Sequence, residues 1–336
     1  MKFGPVPLDQ AVGGILAHSE QVAGGRLRKG AVLGAEQVAA LRAAGYAEVT
    51  VARLETGDLH EDRAAEMLAQ ALRGTASGIA ISAPFTGRVN LLAERPGVAC
   101  LDTGAINAAN AVDPMITVAT VPDHHQIRAG GMIATVKIIA YGVPGAALAR
   151  AADLARGADL ARGAVRLAVA QYRNASLIIT DTPGGPGDKG AEAIAARVTG
   201  LGMEMAETVI CAHEEATLAD AIGVARGDIV LILTASATSD PHDTAPQALR
   251  RAGGRVERFG MPVDPGNLLF LGSLGDKPVI GLPGSARSPV LHGADWVLAR
   301  VACGLPCGAA EIAAMGVGGL LKEIPTRPQP RSAGRR

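Results

Sequence analysis

Asp228-Ile-Val-Leu-Ile-Leu-Thr234 runs directly into Ala235-Ser-Ala-Thr-Ser-Asp-Pro-His-Asp-Thr-Ala-Pro-Gln-Ala248. An uninterrupted apolar run between polar ends reads as a strand buried on both faces, the pattern of a parallel sheet covered by helices. The hydroxyl-rich stretch after it is a loop, and Asp243 or Thr244 followed by Pro246 reads as the start of the next helix. Working outward, Ser176-Leu-Ile-Ile-Thr180 is a second such strand, followed by a Gly/Pro loop and a helix from Ala191 to Val198. Thr208-Val-Ile-Cys211 then reads as a strand and Ala216 to Ala225 as a helix. Strands alternating with helices predict a parallel α/β sheet, whose ligands lie at the carboxyl ends of the strands.

The first half is mixed. Glu36 to Gly45 reads as a helix closed by glycine, Glu48 to Ala52 as a strand, Glu61 to Leu72 as a helix with an acidic first turn, and Met132 to Ala140 as a strand. Between the halves stands a tandem copy, Ala152-Asp-Leu-Ala-Arg-Gly157 and Ala158-Asp-Leu-Ala-Arg-Gly163. Six residues advance a helix by about 600°, so the copies share no face. They are expected to form an exposed connector helix weakened by its glycines. The expected domains are 1–165, mixed α and β, and 166–320, α/β, followed by a solvated, disordered tail, 321–336, that carries Arg327, Arg331, Arg335 and Arg336.

Composition removes several function classes. The 32 basic and 32 acidic residues among 336 cancel, so no field of one sign draws the chain to nucleic acid or to an anionic membrane. One Trp, three Tyr and four Phe are too few for a base-stacking platform. The 43 Gly and 20 Pro residues belong to turns, and a polar ligand must be held by backbone and short side chains. Four Cys without a C-x-x-C pair give neither a zinc site nor a disulfide framework, so Cys303 and Cys307 are expected to be buried thiols. No signal peptide or membrane-length apolar run is present, and the expectation is a cytoplasmic protein. His124-His125 reads as an exposed loop, because adjacent side chains on an extended chain do not converge. Nothing in the sequence orients His18-Ser19 into a catalytic triad.

The loops after the strands carry the candidate chemistry. Asp181-Thr-Pro-Gly-Gly-Pro-Gly-Asp-Lys-Gly190 opens onto a helix N-terminus, where unpaired N–H groups and the dipole favour an anion. Gly185, Gly187 and Gly190 also spell G-x-G-x-x-G, but they stand too far from the strand end, and Asp188 lies where a pyrophosphate would sit. A plain connection is the alternative, and a dinucleotide-dependent enzyme is the weakest of the functional readings. Asp240 and Asp243 are candidate ligand or cation groups and His242 a weaker one. Arg287, after Gly281-Leu-Pro-Gly-Ser285, is a candidate anion clamp.

Taken in order, these loops resemble the molybdopterin-binding family of molybdenum-cofactor biosynthesis proteins, of adenylyltransferase and molybdate-insertion type. The resemblance rests on Asp188-Lys189-Gly190, His213-Glu214-Glu215, Asp243-Thr-Ala-Pro-Gln-Ala248, Pro265-Gly266-Asn267 and Gly281-Leu-Pro-Gly284, and covers about residues 174–303. More faintly, Leu27 to Leu33 and Glu48 to Val51 look similar to the region preceding that domain in the insertion type. The resemblance implies a three-layer αβα domain with a mostly parallel sheet behind a smaller mixed α+β domain. It implies molybdopterin or molybdenum cofactor as ligand, its phosphate on Gly184, Gly185, Gly187, Asp188, Lys189 and Gly190. Ser236, Thr238, Asp240, Pro265, Gly266, Gly281, Pro283, Gly284 and Ser285 complete the implied binding set. For a transfer reaction with Mg2+ and ATP, Asp243 and Glu214 are the implied catalytic residues, with Asp243 on the metal. The family's glycine-rich turn after the third strand is replaced here by Ala235-Ser-Ala-Thr238. That replacement favours the alternative of a carrier or sensor that hands cofactor to an apo-molybdoenzyme. A homo-oligomer is a further expectation.

Overall fold

The computed structural model describes residues 1–158 and 162–321. The chain divides into two compact units, the first comprising Met1–Glu94 with Ala99–Leu167 and the second Arg95–Val98 with the chain from Ala168 onward.

The first unit is built on small antiparallel sheets. In one, Lys2–Pro7 and Ile15–Leu16 flank Glu48–Arg53; in another, the order is Ile116–Thr120, Met132–Ile138, Arg88–Ala93, Ile79–Ile81. The helix Glu61–Arg73 buries Ala64, Ala65, Leu68 and Leu72 against Val89, Leu91, Val136 and Ile138. The first copy is not an exposed connector: it belongs to a helix that packs into the core of the first unit. The helix Gly145–Ala155 takes in Ala152 to Ala155 of the first copy, and Ala151, Ala152 and Ala155 are buried. Leu148, three residues before Ala151, extends the apolar stripe that recruits the copy into the core. Residues 159–161 of the second copy lie outside the described residues, as does the arginine-bearing tail.

The second unit contains β1 (Asn174–Asp181), α1 (Ala191–Thr199), β2 (Glu204–Ala212), α2 (Glu215–Val224), β3 (Ile229–Leu233), α3 (Thr244–Arg251), β4 (Arg255–Phe259), β5 (Phe270–Leu274), β6 (Lys277–Leu282) and α4 (Gly293–Ala302). They form one sheet in the order β2-β1-β3-β6-β5-β4. The first four strands are parallel, and β5 and β4 add antiparallel pairs at one edge. The fold is therefore α/β with a mostly parallel sheet. Ile178, Val230, Ile232 and Val279 pack on Leu218 and Ile222 of α2 and Ala248 and Leu249 of α3. Leu177, Ile179, Leu231 and Leu233 alternate with them and are equally buried on the opposite face, where α1 packs on β1 and α4 on β6. Every residue of β3 is buried, as its unbroken apolar run requires. From β1 the chain moves outward to β2, then returns to place β3 on β1's other side. That reversal is the switch point at which open α/β sheets bind ligands. Among the described residues no helix is long and apolar enough to cross a membrane.

Candidate functional site

The carboxyl ends of β1, β2 and β3 are tied together by one imidazole. Thr180, in β1, is fully buried; its Oγ1 accepts the Ala235 N–H at 3.0 Å and lies 2.8 Å from His213 Nδ1. A buried hydroxyl needs an acceptor for its proton, and among the described residues His213 Nδ1 is the one available to Thr180. The ring proton of His213 then sits on Nε2, which donates to Ser236 Oγ at 3.0 Å. Ser236 is exposed, so its own hydroxyl proton points to whatever occupies the face beyond the strand ends.

The same arrangement recurs after β6. His292 is 1% exposed and caps α4 by accepting the Ala294 N–H on Nδ1 at 3.0 Å. Its Nε2–H donates to Ser285 Oγ at 2.8 Å, leaving the exposed Ser285 a donor as well. Burial, reinforced by the Arg197 cation, lowers the His292 pKa to about 4, with Asp264 opposing. Ser285 is thus no activated nucleophile: the proton on Nε2 is where a general base would need a lone pair.

The loop carrying Ser285 is anchored from below by Arg197 of α1. Its guanidinium donates to the carbonyls of Ala286 (2.8 Å), Ser288 (2.8 Å) and Val290 (3.0 Å), and its Nε to Asp295 Oδ1 at 2.6 Å. Asp295 closes the circuit by accepting the His292 N–H at 2.7 Å; burial raises its pKa against the pull of Arg197. Arg287 reaches the other way, donating to the Lys189 carbonyl and, at 3.0 Å, to that of Thr234. It therefore ties the β6 loop to the β1 and β3 loops through backbone carbonyls.

The predicted residues fall into three groups. Gly184, Gly185, Gly187, Asp188, Lys189 and Gly190 form the β1–α1 loop, folded back so that the Gly187 N–H donates to Asp181 at 3.2 Å. Gly190 is left-handed, with φ +97°, and a Cβ there would meet the Arg287 side chain at 2.8 Å; only glycine admits Arg287 so close. Ser236, Gly284 and Ser285 are exposed at the neighbouring strand ends. A second group is engaged in holding the fold. Thr238 is buried with its hydroxyl 3.3 Å from that of Thr234. Gly281 faces Phe270, whose ring would lie 1.9 Å from a Cβ. Pro283 is buried, and the Pro265 carbonyl accepts the Gly293 N–H at 2.9 Å beside Gly266. In the third group, Asp243 caps α3, its two oxygens accepting Thr244 N–H at 2.7 Å and Ser239 N–H at 3.0 Å. Asp240 accepts the His242 N–H at 2.8 Å, and Glu214, exposed, precedes α2. Among the described residues, no three His, Cys, Asp or Glu side chains converge as a metal site.

Several residues of this site were not among the sequence candidates: Thr180, His292, Arg197 and Asp295, and His213 stands in the sequence only as part of the family resemblance. Arg197 had a signal, since it occupies the apolar stripe of α1 beside Ile194 and Val198; a cation there needs buried partners. Elsewhere, His124 pairs with Asp123 at 2.9 Å in a turn. Cys303 is buried, and burial pushes the Cys307 thiol up to about 11.

Residues 174–301 match the family model described as a probable molybdopterin binding domain, and residues 5–53 match a domain of unknown function (DUF8806). No curated protein matches the chain. Among solved structures, the chain is similar to the molybdopterin biosynthesis moeA protein from Pyrococcus horikosii, with 14% identity over 91% of this chain and 74% of that one and a TM-score of 0.30. It is also similar to the molybdopterin biosynthesis enzyme MoaB from Thermus thermophilus, with 18% identity over 45% and 100% and a TM-score of 0.30. The protein CinA from Thermoplasma acidophilum follows at 19% identity over 34% and 90%, with a TM-score of 0.26. Residues 174–301 are thus similar to the probable molybdopterin binding domain of the molybdenum-cofactor biosynthesis family model.

Proposed function

We propose that the second unit binds molybdopterin at the carboxyl ends of β1, β3 and β6, with the pterin's acceptor atoms on Ser236 and Ser285 and its phosphate on the Gly184–Gly190 loop. The observation that carries this reading is the pair of serine hydroxyls, each accepting a histidine Nε2–H and so presented outward as a donor. Two fixed donors suit an acceptor-rich heterocycle. At the start of α1 the Ala191 N–H is taken by the Asp188 carbonyl at 2.9 Å, and the N–H groups of Glu192 and Ala193, which have no intrahelical partner, suit a phosphate. Asp188 and Glu192 repel a dianion there and Lys189 attracts it, so the loop's backbone has to supply most of the recognition.

A carrier role is favoured over transfer by the turn after β3. Where the family has glycines, Thr234 Oγ1 donates to the Ser236 carbonyl at 2.6 Å and approaches Thr238, tying the turn to itself. The transfer reading places Mg2+ on Asp243 with Glu214, where it would neutralise nucleotide phosphates; Mg2+ commonly takes one or two carboxylates and completes its shell with phosphate and water. Both Asp243 oxygens already accept a backbone N–H, as an N-cap requires. The test is to titrate purified protein with molybdopterin, alone and with Mg2+ and ATP. Tight binding without an adenylylated product is the expected result. An adenylylated product that disappears in Asp243→Ala would establish transfer instead, and no binding at all removes both readings.

A further inference from the structure

Along the strand Glu48–Arg53, Val49 and Val51 point into the core of the first unit and are 4% and 1% exposed. Arg53 is next in that alternation, a cation where the pattern calls for an apolar side chain. Its Nε and Nη2 are shielded from solvent and have no hydrogen-bond partner among the described residues. These two atoms form the edge of the guanidinium whose parallel N–H bonds match the two oxygens of a carboxylate. The nearby acidic groups are engaged elsewhere: Glu55 pairs with Lys2 at 3.3 Å, and Asp58 accepts the Glu55 N–H at 2.7 Å.

Arg53 lines a cavity of about 330 Å³ with Val12, Ile15, Val32, Leu54 and His60. Among the described residues, no acidic side chain lines it. Val12, Val32 and Leu54 remain 55%, 62% and 38% exposed, an apolar rim within one small region. His60 caps the following helix by accepting the Asp62 N–H on Nδ1 at 3.3 Å, which leaves Nε2–H as a second donor. A buried guanidinium edge without an acceptor is costly, and binding requires the flexible side chain to turn that edge toward the cavity Arg53 lines.

The geometry points to a binding site in the first unit for a small monocarboxylate carrying an apolar group. The carboxylate pairs with Arg53, with His60 as a further donor, and the apolar group covers Val12, Val32 and Leu54. This site is independent of the pterin reading of the second unit.

Calorimetric titration of the full chain with hexanoate and phenylacetate, against hexanamide and phenylacetamide as neutral isosteres, tests it. Saturable binding of the acids, at least tenfold weaker for the amides, is expected. Arg53→Gln should lose that binding at least tenfold. Val32→Glu, at an exposed position, should abolish it in a chain that keeps Arg53, by supplying the carboxylate from within. Should Arg53→Gln fail to fold, Val32→Glu decides alone. Amides binding as tightly as acids, undiminished binding in Val32→Glu, or no saturation by either acid would overturn the assignment.

Discussion

Two histidines determine what two serines can do. Thr180 has to place its proton on His213, and the Ala294 N–H has to find His292 Nδ1; both rings therefore direct Nε2–H at a serine. A hydrogen bond of this kind is worth about 1 kcal/mol net, more to a charged acceptor. Ser236→Ala and Ser285→Ala should each weaken molybdopterin binding about 5- to 10-fold; Ser236→Ala should leave the melting temperature unchanged, whereas Ser285→Ala should lower it, because the buried His292 Nε2–H loses its acceptor. Equal affinity in both variants, measured by fluorescence titration, would detach these serines from the ligand. Ser236 is a candidate in the sequence because short hydroxyl residues follow an apolar strand, and Ser285 only through the family resemblance of the loop after Gly281. Their pairing with histidine cannot be read there: His213 lies at the end of a different strand from Ser236, and its pairing exists only once β2 and β3 have taken places on either side of β1.

At the scale of elements, the loop after β6 depends on Arg197. Arg197→Gln leaves Asp295 half of a buried pair and removes donors from the Ala286, Ser288 and Val290 carbonyls. Breaking such a pair costs about 3–5 kcal/mol, and chemical denaturation should show a loss of that order together with weaker ligand binding. His292 adds a pH dependence. Its folded pKa, about 4, lies below the ordinary 6.5, so the unfolded chain binds the extra proton between these values. Its contribution is complete above about pH 6.5 and is lost as pH falls towards 4, with a slope of up to about 1.4 kcal/mol per pH unit. His292→Asn, which keeps a helix-capping side chain, should flatten the denaturation profile in that window. Glu207, held down to about 2 first by the Arg226 N–H and then by Ser176, acts lower, between its ordinary 4.5 and 2, so the two effects separate. An unchanged slope between pH 6.5 and 4 would contradict the His292 account.

The strands of the parallel core were legible for a simple reason: burial on both faces leaves an unbroken apolar run, as in Ile229–Leu233. Strands facing water on one side were harder. Arg255–Phe259 alternates charge with apolar residues at the sheet edge, and Phe270–Leu274 is interrupted by Gly272 and Ser273, so neither stood out. The beginning of β2, Glu204 to Glu207, was missed for the same reason. The glycine loop is legible as a loop, and Gly281, which the sequence offers as a ligand contact, makes room for Phe270 in the fold. A glycine in sequence shows that something approaches closely, not which group.

For the whole molecule, the neutral charge and scarcity of aromatics left binding to backbone and short hydroxyls, and the second unit concentrates both at one end of its sheet. The central claim is that this end holds a pterin. Mass spectrometry of ligand released from the full chain, purified from a host that makes molybdenum cofactor, tests this most directly. The account predicts a pterin in near-stoichiometric amount, reduced several-fold in the Ser236→Ala, Ser285→Ala double variant. Folded protein that releases no pterin and takes up none when molybdopterin is added would contradict it.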